Sequence, residues 1–240
     1  DQIARVALAL LVLDHTGSPL WAAMSLALTF IPLLIGAPVL GTLADRLPRR
    51  TVMLGADLGR ALMVAVLALL AVPGVPIWLL FVLFMAAEML SPLFDSARVA
   101  MTPDVLPTPV LVNAGISLTR ALNLANQAIG LLLGGIVVQL TSPRIALLLD
   151  AVSYLISFLI LAVYLVPRPA ALVNGGSPTL GRLIHDVREG WDLLVTDRTR
   201  RSLVLLACVL GPSIAAPESV GLAYASDTGH GDGWGGALLA

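Results

Sequence analysis

Residues 36–63 read GAPVLGTLADRLPRRTVMLGADLGRALM. Apolar sequence runs into this stretch and out of it. In its middle Asp45 is followed by Arg46, Arg49 and Arg50. Two apolar segments joined by so dense a knot of charge are what a short polar loop between two lipid-buried helices requires. Everything else in the chain can be tested against that reading.

The composition agrees. Of 240 residues, 58% are hydrophobic and 12% charged, with a mean hydropathy of +0.94. A soluble domain carries about 25% charged residues to cover its surface, so much of this surface is expected to face lipid. The formal net charge of −1 argues against nucleic acid as a partner. All 14 basic residues are arginine. Without a lysine there is neither a P-loop nor a Schiff-base amine. The single cysteine, Cys208, allows no disulfide within the chain and no cysteine metal cluster. His15, His185 and His230 fall outside the apolar spans, and no G-x-S-x-G is present. The glycine-rich SDTGHGDGWGG, with His230 and Asp232, reads as a flexible turn. No enzyme, cofactor or metal is expected.

A membrane helix needs about 20 mostly apolar residues. Six segments reach or approach that: 20–43, 52–72, 77–93, 110–140, 145–166 and 202–223. The fourth of these opens with polar turns, so its later two-thirds are expected in the membrane. Pro-Gly-Val-Pro at 73–76 marks a tight turn and Pro-Arg-Pro at 167–169 a helix end. Residues 3–13, IARVALALLVL, are apolar but too short to span, and WGGALLA begins a run and stops. Both read as helices cut by the chain ends, and the start lacks the pattern of a signal peptide. About eight helices are thus expected.

Arginine placement orients them. Arg46, Arg49, Arg50, Arg98 and the six arginines of 168–201 lie on one side, with only Arg144 opposite. The arginine-rich loops are therefore expected in the cytoplasm. Trp21 and Trp78 then fall at the outer interface, where indoles favour the headgroups. In TLGRLIHDVREGWDLL (179–194) the apolar residues share one helical face, so an interfacial cytoplasmic helix is expected there.

The order Gly41-Thr-Leu-Ala-Asp45-Arg46-Leu-Pro48-Arg49-Arg50 resembles the signature loop of the major facilitator superfamily, G-x-L-A-D-R-x-G-R-R/K, which joins that family's second and third helices. Pro48 stands where the family has glycine. It stiffens the turn and leaves the charges in place. DQIARVALALLVLDHTGSPL, SPLFDSARVAMTPDVLP and ALLLDAVSYLISFLIL resemble the macrolide-efflux and enterobactin-exporter-like branch. Gly130-Leu-Leu-Leu-Gly134-Gly135 is similar to the antiporter signature GPxxGG, with Leu131 in place of proline; small residues so spaced let helices pack closely in lipid. The R-x-x-x-G signature is not evident.

The resemblance implies an all-α polytopic fold of twelve helices in two halves around a central cavity, with alternating access. This chain would be truncated at both ends. Residues 1–166 would form the first six-helix half, 167–200 a cytoplasmic linker with an amphipathic helix, and 201–240 the start of the second half. In the family the signature acid caps a helix of the second half when the cytoplasmic gate is shut, an anion at a positive helix end. That gate here would comprise Gly41, Asp45, Arg46, Arg49, Arg50 and Asp95, with Arg49 or Arg50 pairing with Asp95. Expected partners are the lipid bilayer, a small-molecule substrate and H⁺. The implied activity is proton-coupled efflux of a drug-like or siderophore-like compound across the plasma (inner) membrane, by a monomer when full length. Rival readings are a sensor or non-transporting subunit of this fold, the permease of an ATP-driven system, and an intramembrane enzyme.

Ionisable residues at depth cost about 2.5 kcal/mol or more each by insertion scales, so they tend to serve a purpose. Glu88 lies about 17 Å, Arg5 about 13 Å and Asp150 about 10 Å below their helix ends at 1.5 Å per residue. Burial disfavours the charged form of a carboxylate, so Glu88 is a candidate proton or cationic-substrate site. The competing expectation is a fixed ion pair between Glu88 and Arg5. Asp150 is a second candidate for either role. Asn113, Ser117, Arg120, Asn123, Asn126 and Gln127 recur at helical spacing. Arg120, Asn123 and Gln127 are candidate substrate contacts, with interhelical hydrogen bonds the equal alternative. Asp57 and Arg60, three apart, are expected to pair near the cytoplasmic end of their helix.

Overall fold

A computed structural model describes residues 1–29, 31–32, 47–72, 74–106, 108–165, 196–199, 201–202 and 205–206, apart from the side chains of Asp104 and Val105. The seven helices described within 1–165 are α1 (Gln2–Thr16), α2 (Pro19–Leu28), α3 (Arg49–Leu70), α4 (Ile77–Glu88), α5 (Leu90–Val105), α6 (Pro109–Leu140) and α7 (Pro143–Tyr164). No strand occurs among the described residues. Four stretches are long and apolar enough to cross a membrane: Arg49–Leu70, Ile77–Pro103, Pro109–Leu140 and Pro143–Tyr164.

Local chemistry sets the boundaries. Gly17 closes α1 in the left-handed conformation at φ 62°, where a Cβ would clash. Thr108 and Ser142 accept from the backbone N–H of Leu111 and Ile145, each with proline at the first helical position. Leu106 precedes Pro107 and is extended at φ −101°, ψ 120°, because a proline disfavours the α region for the residue before it. Pro92 has no N–H, and its ring crowds the carbonyl of Glu88. The helical run accordingly breaks at Met89, between α4 and α5.

The span expected over 77–93 does not stop there. After Leu93 the sequence FDSARVAMT holds no glycine and good helix formers, and α5 continues to Val105. Arg98 and Asp95 therefore ride on a helix rather than on or beside a loop. The short first segment also lengthens, and its helix takes in His15. His15 Nδ1 lies 2.9 Å from the Leu11 carbonyl and Nε2 3.4 Å from that of Val72, tying α1 to the end of α3.

α1 occupies the middle of the bundle, against α2, α6 and α7. Ala4 and every residue from Val6 to Val12 are buried, as expected for a helix apolar around its whole circumference. α3 packs along α7 and against α4 and α5. Leu8, Val12, Val64, Leu67, Leu80 and Leu147 are fully buried between these helices. The outer faces carry exposed leucines such as Leu62, Leu69, Leu122, Leu124 and Leu159, the pattern of a lipid-facing wall. At about 1.5 Å per residue, α6 would be about 48 Å long, more than the ~30 Å hydrocarbon layer, so part of it must lie beyond the lipid.

α6 and α1 touch through glycines. A Cβ at Gly130 would stand 2.7 Å from Gln2 Cβ, and one at Gly134 would stand 3.3 Å from the Ile3 Cα. Gly134 and Gly135 are both buried. Gly130→Leu should therefore push α1 from α6 and cost about 1–3 kcal/mol. The midpoint of unfolding in detergent should fall, whereas Gly55→Leu, at a position with open space, should leave it nearly unchanged.

Candidate functional site

Five helices, α1, α3, α5, α6 and α7, surround a cavity of about 600 Å³, within the range of roughly 300–1,000 Å³ typical of ligand pockets. Its wall is polar for a bundle this apolar. α3 contributes Asp57 and Arg60; α5 contributes Ser91, Asp95 and Arg98; α6 contributes Asn123, Asn126 and Gln127. α7 adds Asp150, Ser153, Tyr154 and Ser157, and the start of α1 adds Asp1 and Gln2.

One part of this wall is tightly built. Arg60 donates to Asp57 Oδ1 one turn before it, and Ser157 of α7 donates to Asp57 Oδ2 at 2.6 Å. The Arg60 guanidinium lies between two rings, with its Cζ 4.7 Å from the centroids of both Phe94 and Tyr154. Both charged residues are buried, Asp57 at 1% and Arg60 at 5% exposure. A carboxylate with both oxygens taken and a cation held over two π faces join α3, α5 and α7 in a single network. The two residues pair as their spacing suggested, but midway along α3 and not near its cytoplasmic end as expected. A mid-helix charge is tolerated where a partner helix brings a hydroxyl and two rings to meet it.

A second part is incomplete. Among the described residues, six buried side-chain atoms lack a hydrogen-bond partner, and five belong to cavity residues: Gln2 Oε1, Arg60 Nε, Ser91 Oγ, Arg98 Nε and Asp150 Oδ2. Buried polar groups are normally satisfied, so such a cluster marks where water or a ligand belongs. Asp150 is 2% exposed, and its Oδ1 accepts from the α-ammonium of Asp1, the first residue of the sequence, at 2.9 Å.

Arg5 and Glu88 meet outside this lining. Arg5 Nη2 donates to Glu88 Oε2 at 3.0 Å and Nε to Oε1 at 3.3 Å. This two-pronged contact joins α1 to the last residue of α4, just ahead of the break that Pro92 imposes. Glu88 is buried, and the Arg5 side chain is 22% exposed.

The remaining candidates scatter. Asp95 takes Arg98, three residues along α5, at 2.8 Å. Arg50 donates to the Ala162 carbonyl of α7 at 2.7 Å instead of reaching Asp95: with α5 running on past Asp95, that carboxylate has its own helical cation one turn away. Arg49 begins α3. Asn123 and Gln127 line the cavity, but Arg120, two turns nearer the start of α6 than Gln127, is exposed and off the wall. Gly41, Asp45 and Arg46 lie outside the described residues, as do residues 179–194, Cys208 and most of 202–223. Sequence reasoning missed Gln2, Ser91, Ser153 and Ser157 and the paired rings of Phe94 and Tyr154. The only available signal was polar or aromatic residues inside apolar spans.

The family model described as Major Facilitator Superfamily matches residues 1–240. The chain is 26% identical over 194 residues to an "Uncharacterized MFS-type transporter YfiS" of Bacillus subtilis (strain 168), a match covering 80% of this chain and 45% of that protein. It is 23% identical over 206 residues to a "Macrolide efflux protein A" of Streptococcus pyogenes, covering 85% and 50%. With a protein of the same name from Enterococcus faecalis it shares 24% over 192 residues, covering 79% and 58%. The chain thus spans about half the length of the curated relatives it matches. No solved structure matches it significantly. With a match along its whole length, helices able to cross a bilayer and a polar cavity between them, this multi-pass membrane protein belongs to the Major Facilitator Superfamily.

Proposed function

We propose that the chain forms part of a secondary active transporter that exports a small molecule by alternating access, with proton coupling. The observation that carries the reading is the cavity. Charged and amide side chains from five helices converge on a space of about 600 Å³ inside an otherwise apolar bundle, and buried polar atoms there await partners. The relatives named for macrolide efflux support export of a bulky drug-like or siderophore-like compound. The arginine-rich loops would face the cytoplasm from the plasma membrane, by the charge asymmetry of the sequence.

Asn123 and Gln127 would contact substrate. Two carboxylates inside the bundle are candidates for carrying the proton. Arg5 engages both oxygens of Glu88, which suits a fixed pair, whereas Asp150 keeps one oxygen free beside the cavity. Asp150 is therefore the carrier we favour.

The test is accumulation of a panel of dyes and antibiotics in cells with and without the full-length protein. At least one compound should accumulate several-fold less in expressing cells, and a protonophore should erase the difference. Equal accumulation of every compound under both conditions would favour the sensor reading and end this one. Efflux that survives the protonophore but fails on ATP depletion would favour the permease of an ATP-driven system.

A further inference from the structure

One face of α5 looks onto the cavity. Ser91, Phe94, Asp95 and Arg98 fall on a single stripe of the helix by their spacing, and all four line the space. Arg60 of α3 reaches the same stripe, its Cζ 4.7 Å from the Phe94 ring centroid. Three of the buried atoms without a hydrogen-bond partner gather here: Arg60 Nε, Arg98 Nε and Ser91 Oγ. Each of them can donate. The free hydroxyl stands apart from other serines of the bundle. Ser25, Ser96 and Ser153 donate to carbonyls about one turn back on their own helices. Ser91 follows the break at Met89 and makes no such bond.

Arg60 shows what kind of group can meet these donors. It is 5% exposed. Phe94 and Tyr154 flank its guanidinium, so a partner can approach only along its edge. On that edge Nη2 holds Asp57 Oδ1, and Nε is left over. A buried N–H of this kind calls for an oxygen acceptor. Charge decides which. Arg60 is already neutralised by Asp57 and Arg98 by Asp95, and the carboxylates of the lining outnumber its two guanidinium groups. An anion would add a like charge to a buried site. A cation would turn donors toward donors. An uncharged carbonyl oxygen has two lone pairs to accept with and adds no charge.

We infer that the ligand of this cavity presents uncharged carbonyl groups (ester, ketone or amide), one of which accepts from Arg60 Nε, with Arg98 Nε and Ser91 Oγ as the neighbouring donors. This assignment rests on the cavity being the substrate site of the proposed transporter. It goes beyond that reading by naming the functional group recognised and the stripe of wall that recognises it. Arg5 is not an alternative donor, since its Nε holds Glu88 Oε1 and its side chain lies off the lining.

The experiment is equilibrium binding to the purified full-length protein in detergent, with no gradient applied, read by scintillation proximity and corrected for partition into protein-free micelles. The tritiated probes are 5-(naphthalen-2-yl)pentan-2-one, its carbonyl-free counterpart 2-pentylnaphthalene and the carboxylate 4-(naphthalen-2-yl)butanoate. A hydrogen bond from a charged donor in a buried site predicts that the ketone binds about tenfold or more tighter than the hydrocarbon. Arg60→Lys keeps the charge opposite Asp57 and removes Nε. It should abolish the preference by weakening ketone binding and leaving the hydrocarbon's Kd in place. Equal affinity of ketone and hydrocarbon for the wild-type protein, with the free donors holding water alone, overturns the inference. So does tighter binding of the carboxylate than of the ketone, which would make the stripe an anion site. A preference that survives Arg60→Lys overturns it as well. If Arg60→Lys does not fold, Arg98→Lys combined with Ser91→Ala substitutes for it. The preference should then shrink several-fold, and an unchanged preference overturns the inference. A ketone preference in a protein that shows no efflux would count against transport and not against this site.

Discussion

Replacing Arg60 with methionine should destabilise the protein by about 3–5 kcal/mol, the usual consequence of leaving one member of a buried ion pair behind. Asp57 would keep Ser157 but lose its counter-charge at 1% exposure. Phe94 and Tyr154 would lose the cation between them, a further term of about 1–2 kcal/mol where the cation is desolvated. The double variant Asp57→Asn with Arg60→Met should recover most of the loss, because a matched uncharged pair leaves no charge stranded. Denaturant unfolding in detergent, followed by tryptophan fluorescence, gives both numbers. A single variant that costs less than ~1 kcal/mol, or a double variant no better than the single, would mean the network contributes little to holding α3, α5 and α7 together.

Glu88→Gln should show the second large effect, a stability loss of about 3 kcal/mol, as Arg5 would be left facing an uncharged amide inside the bundle. Arg5→Gln in the same chain should restore much of it. A purely proton-carrying Glu88 predicts the reverse: stability close to wild type, with the pH response of transport gone. The two outcomes differ in the unfolding curve alone, so the comparison requires no knowledge of the substrate.

The fold was legible in the residues because membrane burial imposes a coarse and repetitive demand. Length, apolarity and the Asp45–Arg50 motif were sufficient for an all-α polytopic chain of this family. The charges at depth were legible for the same reason. Arg5 and Glu88 stand out against apolar neighbours, and the structure brings them together. What sequence could not supply was the third dimension of the polar wall. Asp57 and Arg60 announce a pair by spacing, yet Ser157 lies 100 positions from Asp57, and nothing in a one-letter string places it on the same carboxylate. Hydropathy also ends a span where polarity rises, as at Leu93. A helix ends where its backbone must, and α5 runs on until Pro107 imposes extended geometry on Leu106. That difference put Arg98 on a helix instead of in a loop, one turn from Asp95, with which it pairs. Arg120 was drawn in by periodicity, which identifies a helical face but not how far along it the cavity reaches.

The central position of α1 has a consequence for biogenesis. α1 can meet α2 as soon as that helix is made, but it completes its packing only when α6 and α7, made much later, have followed. Its arginine must wait for a carboxylate 83 residues downstream. At about 5–20 residues per second, that delay is roughly 4–17 s. Throughout it a charged helix must be sheltered by the insertion machinery or rest at the bilayer surface. The packing of α1 is therefore split in time, part of it immediate and part delayed, and the insertion machinery has to hold this segment until α6 and α7 arrive.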